Sequence, residues 1–215
     1  MKNIFRPVLF TILFFFIAGS LVAQSTFKEA KKNLKQKAIK EARKEAKKWE
    51  KKGFSNLPGD PPLDKQFEVS MIKQFMLDEK GDPLYIVTNG SAIAGSEGVA
   101  AANAMDNSRA ALAGQIQSEV SALVSNNKAN TQYEDGQVET IDEFLSNSKT
   151  LIQKELGALK PAIRMYRSVD TNVEFRYSII YSIETAKNVT KKILKDELQE
   201  KLDPSDEQLN KLLDL

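Results

Sequence analysis

Four serines precede a lysine by three positions, a spacing that in some hydrolases places a nucleophilic hydroxyl beside an amine base. The pairs are Ser25/Lys28, Ser70/Lys73, Ser125/Lys128 and Ser146/Lys149. The predicted helix around Ser146 makes the last pair the best of the four. The Ser-Asp-Asn and Lys-Thr-Gly elements that accompany the motif in enzymes are absent. A chain rich in Ser and Lys contains such pairs by chance, so the spacing alone does not identify a catalytic site.

Residues 90–97, Gly-Ser-Ala-Ile-Ala-Gly-Ser-Glu, lie between a predicted strand and a predicted helix, as a phosphate-binding loop would. Such a loop needs Lys and then Ser or Thr after its second Gly. This chain has Ser96 and Glu97 there, and the carboxylate would repel a phosphate. The segment is instead typical of a turn in which Ser96 caps the following helix and Glu97 lies at its positive end.

Paired carboxylates are a third candidate chemistry, because two acids can act together in glycoside hydrolysis. The acidic groups are Asp78/Glu79/Asp82, Glu134/Asp135, Asp142/Glu143 and Asp206/Glu207. All of them fall in predicted turns or at helix starts, where acids are ordinarily solvated or capping. Lys80 occupies a ligand position of the calcium-loop pattern, so that pattern fails.

The composition excludes further kinds of catalysis and metal binding, since the 215 residues include no His and no Cys. Imidazole bases, thiol nucleophiles, thiolate zinc sites and an acylated lipoprotein cysteine are therefore excluded. We predict no catalytic residue, no metal site and no cofactor.

Residues 25–52 carry twelve Lys or Arg and four acids, with a stripe of mostly alanine at helical spacing. The pattern predicts a basic helix that ends at Gly53. One interpretation is contact with an anionic surface; the other is a solvated helix whose alanine stripe packs on the domain. The candidate partner or anion contacts are Lys44, Lys47, Lys48, Trp49, Lys51, Lys52, Arg164 and Arg176. We expect Arg164 and Arg176 to face each other on a hairpin, near Tyr166.

The first 23 residues have a basic start, an apolar run over residues 8–17 and Ala23 before the expected cut. This pattern is typical of a secretory signal peptide. The alternative is an uncleaved membrane anchor, which the downstream excess of positive charge favours. Removal of residues 1–23 leaves 29 basic and 29 acidic residues, a net charge of zero. Residues 24–215 as a whole are therefore not expected to bind nucleic acid, and any such contact would depend on the basic helix.

The remaining pattern predicts an α+β fold in the order α–α–β–α–α–β–β–α. Residues 173–183 have six apolar side chains at alternate positions, the clearest strand, and they form a hairpin with residues 162–169. Residues 84–88 make a third strand that can extend through residue 94. Helices are expected over residues 97–127, 138–157 and 184–202. We thus predict a three-stranded, mostly antiparallel sheet covered on one face by helices.

The predicted organisation has five parts. They are a signal peptide (1–23), a basic helix (24–52), a Pro/Gly-rich linker (53–62), an α+β domain (63–203) and an amphipathic C-terminal tail (204–215).

Several stretches resemble a family of uncharacterised, exported bacterial envelope proteins. They are residues 45–54 (EAKKWEKKGF), 62–67 (PLDKQF), 85–87 (YIV), 112–120 (LAGQIQSEV) and 166–167 (YR). A more distant similarity is to small outer-membrane lipoproteins and to the N-terminal domain of a flagellar collar protein. The resemblance implies export, a basic helix, a linker and a compact α+β domain, and it implies no catalytic residue.

The expected function is that of a non-enzymatic exported envelope protein, a binding or structural module in the periplasm or at the outer membrane. Its expected partner is another envelope component, with an anionic membrane surface as a second candidate. Two alternatives remain open: a small periplasmic hydrolase that uses Ser/Lys or carboxylates, and a binder of anionic surfaces through the basic helix.

Overall fold

The structure is a computed structural model that describes residues 32–130 and 135–199. The predicted signal peptide, the first residues of the basic helix and the C-terminal tail lie outside the described residues. Within the two described ranges, none of the helices combines the length and the apolarity that crossing a membrane requires.

Helices and strands follow the predicted order, with one additional strand. The helices are α1, helical over residues 32–51, α2 (Leu63–Gln74), α3 (Glu97–Asn130), α4 (Asp135–Glu155) and α5 (Ile183–Gln199). The strands are β1 (Ser55–Asn56), β2 (Tyr85–Ala94), β3 (Pro161–Val169) and β4 (Asn172–Ser182). They form one antiparallel sheet in the order β1-β3-β4-β2.

Two features of the predicted sheet are wrong. It has four strands rather than three, because two residues of the predicted linker, Ser55 and Asn56, pair with Tyr166 and Met165 of β3. Helices also cover both faces of the sheet rather than one. The polar alternate positions of β4 suggested a solvated face, but Glu174 and Ser178 on that face are buried beneath α1 and α2.

The predicted hairpin is confirmed, and it joins β3 to β4 through the two-residue turn Asp170–Thr171. Asp170 has a φ of 52°, in the left-handed region that Asp tolerates better than most residues because its short side chain bonds locally. The turn sets the register Val169↔Asn172, and every later pairing of the hairpin follows from it up to the irregularity between Pro161 and Ile163.

One face of the sheet packs against α3, with α4 and α5 completing the layer. Phe175 and Ile179 of β4 and Ile86 of β2 are almost fully buried on this face. Helix α3 contributes alanines where it crosses the strands, at Ala100 and Ala104. Small side chains allow the helix backbone to approach the sheet closely.

The closest approach of α3 to the sheet lies at Gly90 of β2. A Cβ atom at this position would overlap the backbone nitrogen of Ser108 and the backbone oxygen of Ala104. Backbone atoms cannot move aside as the end of a side chain can, so this position requires glycine. The prediction of a turn over residues 90–97 is wrong for most of the segment, because residues 90–94 belong to β2, Gly95 and Ser96 form the turn, and Glu97 begins α3.

The other face of the sheet packs against α1 and α2, mainly over β3. Ala42 and Ala46 of α1 are buried, and they form one cluster with Phe67 of α2 and with Ile163 and Met165 of β3. The alanine stripe therefore packs on the domain, as the second interpretation of the basic helix predicts.

Substitution of Gly90 by Ala tests the close approach of α3 to β2. We expect Gly90→Ala to lower the free energy of unfolding by about 1–3 kcal/mol or more, because the added methyl group overpacks a fixed backbone. The matched control is Gly98→Ala in α3, where the new methyl group meets no atom within 4 Å. That variant should be neutral or slightly more stable, since Ala is the better helix former. Equal midpoints in urea denaturation for the two variants would contradict the close approach.

Candidate functional site

The face of the sheet under α1 and α2 changes from apolar to polar across its strands. Met165 of β3 lies opposite Arg176 of β4, which lies opposite Ser91 of β2. Two residues further along the hairpin, Ser178 of β4 lies between Ile163 of β3 and Asn89 of β2. Residues that pair across antiparallel strands share a face, so these side chains form two parallel rows.

Helices α1 and α2 cover the apolar ends of these rows and leave the polar ends in a cleft. The cleft has a volume of about 370 Å³. Phe67, Ile163 and Met165 line its buried floor. The buried hydroxyls of Ser70 and Ser178 line its wall. The side chains around its mouth are partly or fully exposed: Glu45, Trp49, Met71, Gln74, Asn89, Ser91 and Arg176.

Two arginines hold a buried carboxylate at one end of the cleft. The Glu174 side chain is only 4% exposed. Its Oε1 accepts a hydrogen bond from Arg176 Nε at 2.8 Å, and its Oε2 accepts one from Arg167 Nε at 2.7 Å. Removing one partner of a buried ion pair typically costs about 3–5 kcal/mol, because the other charge stays buried without compensation. The three side chains together carry one net positive charge.

Arg167 and Arg176 also contact the end of α1. Arg167 Nη1 donates to the backbone oxygen of Lys52 at 3.0 Å, and the Arg167 guanidinium lies 4.8 Å from the ring centre of Phe54. The guanidinium of Arg176 lies 4.9 Å from the ring centre of Trp49. Each cation–π contact contributes about 0.5–1 kcal/mol, and together they fix the orientation of both arginines.

Two buried hydroxyls line the cleft. Ser70 and Ser178 are each 4% exposed. Among the residues that the structure describes, no group hydrogen-bonds to either hydroxyl. A buried polar group without a partner costs about 1–3 kcal/mol, so this wall is suited to contact with water or a ligand.

The outer face of α1 presents lysines to solvent. Lys44, Lys47, Lys48, Lys51 and Lys52 are all exposed. Lys48 Nζ lies 3.2 Å from Glu45 Oε1, and Lys52 Nζ lies 4.4 Å from the ring centre of the half-buried Trp49. Within the described ranges, no acidic side chain pairs with Lys44, Lys47 or Lys51. The structure therefore places the five candidate lysines of α1 at the surface, whereas Trp49 lines the cleft.

Arg164 does not join Arg176, and the expectation that the two face each other is wrong. Arg164 pairs with Tyr177 and Arg176 pairs with Met165, so the register places the two arginines on opposite faces of the sheet. Arg164 forms an ion pair with Asp60, and this hydrogen bond raises the pKa of Arg164. The same register separates Arg176 from Tyr166, which stacks on Phe175 on the α3 face.

Arg164 instead helps to fasten the segment before α2 to the sheet. Its backbone N–H donates to Gln66 Oε1 at 2.7 Å, and Gln66 Nε2 donates to the backbone oxygen of Pro61 at 2.7 Å. Arg164 Nε also donates to Asp60 Oδ2 at 2.8 Å. These contacts serve the fold, because they connect β3 with α2 and with the segment that precedes it.

The hydrolase alternative gains no support from the described residues. Ser146 Oγ donates to the backbone oxygen of Glu143 at 2.8 Å, an ordinary contact within α4. Asp78 Oδ1 accepts the backbone N–H groups of Lys80 and Asp82, and the hydrogen bond from Asp82 is the main reason that the pKa of Asp78 is lowered. In residues 32–130 and 135–199, no group of three acidic side chains is placed to hold a metal ion.

Comparisons with protein families, with curated proteins and with solved structures found no match to this chain. The resemblance to exported envelope proteins therefore stays a prediction.

Sequence reasoning identified Trp49 and Arg176 but missed the other polar residues of the cleft. Glu174, Ser178 and Asn89 occupy alternate strand positions that looked like an ordinary solvated face. The sequence did contain a signal that this face is covered. Two amphipathic helices precede the first long strand, and their apolar stripes need a second sheet face to pack on.

An ion-pair network connects α1 with α2, and acid should weaken it. Glu68 accepts hydrogen bonds from Lys65 at 2.9 Å and from Arg43 at 3.0 Å, and these contacts lower its pKa below the ordinary value of 4.5. A lowered carboxyl pKa stabilises the fold fully above 4.5, and this stabilisation is lost as the pH falls through the native pKa.

We therefore expect Glu68→Gln to lower the melting temperature slightly at neutral pH and to equal the wild type in acid. Thermal melts over a pH series measure this difference. Glu79→Gln, in the exposed turn after α2, is the control and should leave the melting temperature unchanged at neutral pH. A difference between Glu68→Gln and the wild type that is constant over the whole pH range would contradict the role of the ion pair.

Proposed function

We propose that this protein is a non-enzymatic, exported binding module of the bacterial cell envelope and that the outer face of α1 is its contact surface. The apolar, basic-flanked N-terminal segment supports export. The charge of the chain is segregated, since residues 32–52 contain ten Lys or Arg and three Glu. The absence of His and Cys, and a Ser146 engaged within its own helix, support a role in binding rather than catalysis.

The main observation behind the proposal is that α1 is fixed against the domain. Ala38, Ala42 and Ala46 are 0–1% exposed, so one side of the helix is packed against the domain from residue 38 to residue 46. Lys44, Lys47 and Lys51 recur at intervals of three and four residues and therefore share a side of the helix. A fixed row of cations that have no acidic partner within residues 32–130 and 135–199 recognises an anionic partner with little loss of backbone entropy on binding.

An anionic lipid surface or an acidic envelope protein would fit this row of lysines. Each Lys near an anionic bilayer contributes about 1 kcal/mol to binding. The zero net charge of residues 24–215 means that the attraction is local to α1. The domain would therefore bind in one orientation, with α1 towards the partner.

Export is tested by cell fractionation followed by N-terminal sequencing of the native protein. We expect the protein in the envelope fraction, with its first residue at Gln24. A native chain that still begins at Met1 and is found in the membrane fraction would favour the uncleaved anchor. A chain that begins at Met1 and is found in the cytosol would contradict the proposed location.

The contact surface is tested by substituting Lys44, Lys47 and Lys51 together by Gln. Loss of three lysines should weaken binding to phosphatidylglycerol vesicles by about 100-fold, since roughly 3 kcal/mol is lost. Binding is measured by vesicle co-sedimentation at low and physiological salt. The control replaces Lys80, Lys154 and Lys160 by Gln, which changes the net charge equally away from α1.

The control variant should bind as the wild type does. An equal loss in both triple variants would show that net charge alone governs binding and would reject α1 as the contact surface. A wild type that does not bind these vesicles at low salt would reject the anionic bilayer and leave the acidic protein as the partner to be identified.

A further inference from the structure

We propose that the cleft between α1, α2 and the β4–β2 side of the sheet binds a small organic monocarboxylate that has an apolar body. The carboxylate lies against Arg176 and Ser91, and the apolar body rests on Phe67, Ile163 and Met165. This site is separate from the outer face of α1, so it holds or fails independently of the contact surface proposed above.

The charge of the cleft favours a single negative charge on the ligand. Arg167 and Arg176 share the carboxylate of Glu174, and Glu45, which also lines the cleft, is paired with Lys48 at 3.2 Å, so these five charged side chains carry one net positive charge. Arg176 uses Nε for Glu174, and no group in the described part of the chain hydrogen-bonds to its two terminal nitrogens. These nitrogens form a planar donor pair that matches the geometry of a carboxylate.

The orientation of Arg176 is set before any ligand binds. Glu174 holds its Nε at 2.8 Å, and the Trp49 ring lies against its guanidinium at 4.9 Å. A side chain that is already fixed loses little rotamer entropy on binding. The hydroxyl of Ser91 lies directly across the strand pair from Arg176 and supplies a further donor at the mouth of the cleft.

The buried end of the cleft points to a ligand whose body is mostly apolar but carries a hydrogen-bonding group. Phe67, Ile163 and Met165 are 5–7% exposed and form an apolar floor. The hydroxyls of Ser70 and Ser178 line this buried part, each 4% exposed and without a partner among the described residues. A hydroxyl or carbonyl group on the ligand, or a water molecule that bridges to it, would satisfy them.

The volume of the cleft limits the size of the ligand. At about 370 Å³ it lies near the lower end of the range of small-molecule sites, about 300–1,000 Å³. This volume matches a short-chain or aromatic carboxylic acid.

Trp49 makes the cleft directly observable, because it is the only tryptophan in the chain and lines the cleft. The probes are hexanoate, the neutral hexanamide and the cationic hexylammonium, which share one apolar chain. We expect a saturable change in Trp49 emission with hexanoate, and at least tenfold weaker binding of the other two. Isothermal titration calorimetry on the purified full chain checks the same ranking without the fluorophore.

Variants assign the binding to Arg176 and to the buried end of the cleft. Arg176→Gln should weaken hexanoate binding at least tenfold, and Arg176→Lys should recover part of it because the charge returns without the planar donor pair. Ser178→Val fills the buried end without touching the arginine cluster and should also weaken binding. The control is Arg109→Gln in α3, which should bind hexanoate as the wild type does.

Three results would overturn the proposal. They are the absence of saturable hexanoate binding by both methods, equal binding of hexanamide and hexanoate, and hexanoate binding that Arg176→Gln and Ser178→Val leave unchanged. Loss of binding in Arg176→Gln counts for the proposal only if its melting curve stays cooperative. If Arg176→Gln does not fold, Ser178→Val and the ranking of the three probes decide the question.

Discussion

The close packing of the alanine side of α1 against the sheet is the constraint on which the rest of the structure depends. Alanines at positions 38, 42 and 46 remove the side-chain volume that would otherwise keep a helix far from β3 and α2. The helix can then place Trp49 at the mouth of the cleft and its lysines on the opposite, exposed side. One stripe of small residues thus defines both an inner cleft and an outer cationic surface.

The buried cluster of Glu174 with Arg167 and Arg176 is the second consequence of that packing. A strand face in solvent could carry these side chains at no cost, but a covered face must pair them. The pairing is complete for the glutamate and incomplete for the arginines, because two guanidinium groups share one carboxylate. The excess positive charge is thereby held between an apolar floor and an aromatic ring, where electrostatic interactions are stronger than at an open surface.

Much of the fold could be predicted from local pattern. The apolar residues recur at every second position in β4 and at helical spacing in α3, and these periods determine the element type. The turn at Asp170 was predicted from the short polar segment between the two strands. β1 could not be predicted, because two residues in a Pro/Gly-rich segment have no period, and their pairing depends on the position of β3. The cleft was only partly predictable: Trp49 and Arg176 are conspicuous residue types, but their meeting depends on how α1 crosses β4.

The attachment of Gln66 to β3 has a consequence for how copies of this chain can associate. β3 is paired with β1 over two residues, and at the next residue the side chain of Gln66 accepts a hydrogen bond from the backbone N–H of Arg164. A foreign strand that tried to extend the sheet on this side would have to displace both β1 and the glutamine. Lateral growth of the sheet at residues 164–166 of β3 is therefore hindered by β1, which lies in the segment that looked like a simple linker, and by Gln66 of α2.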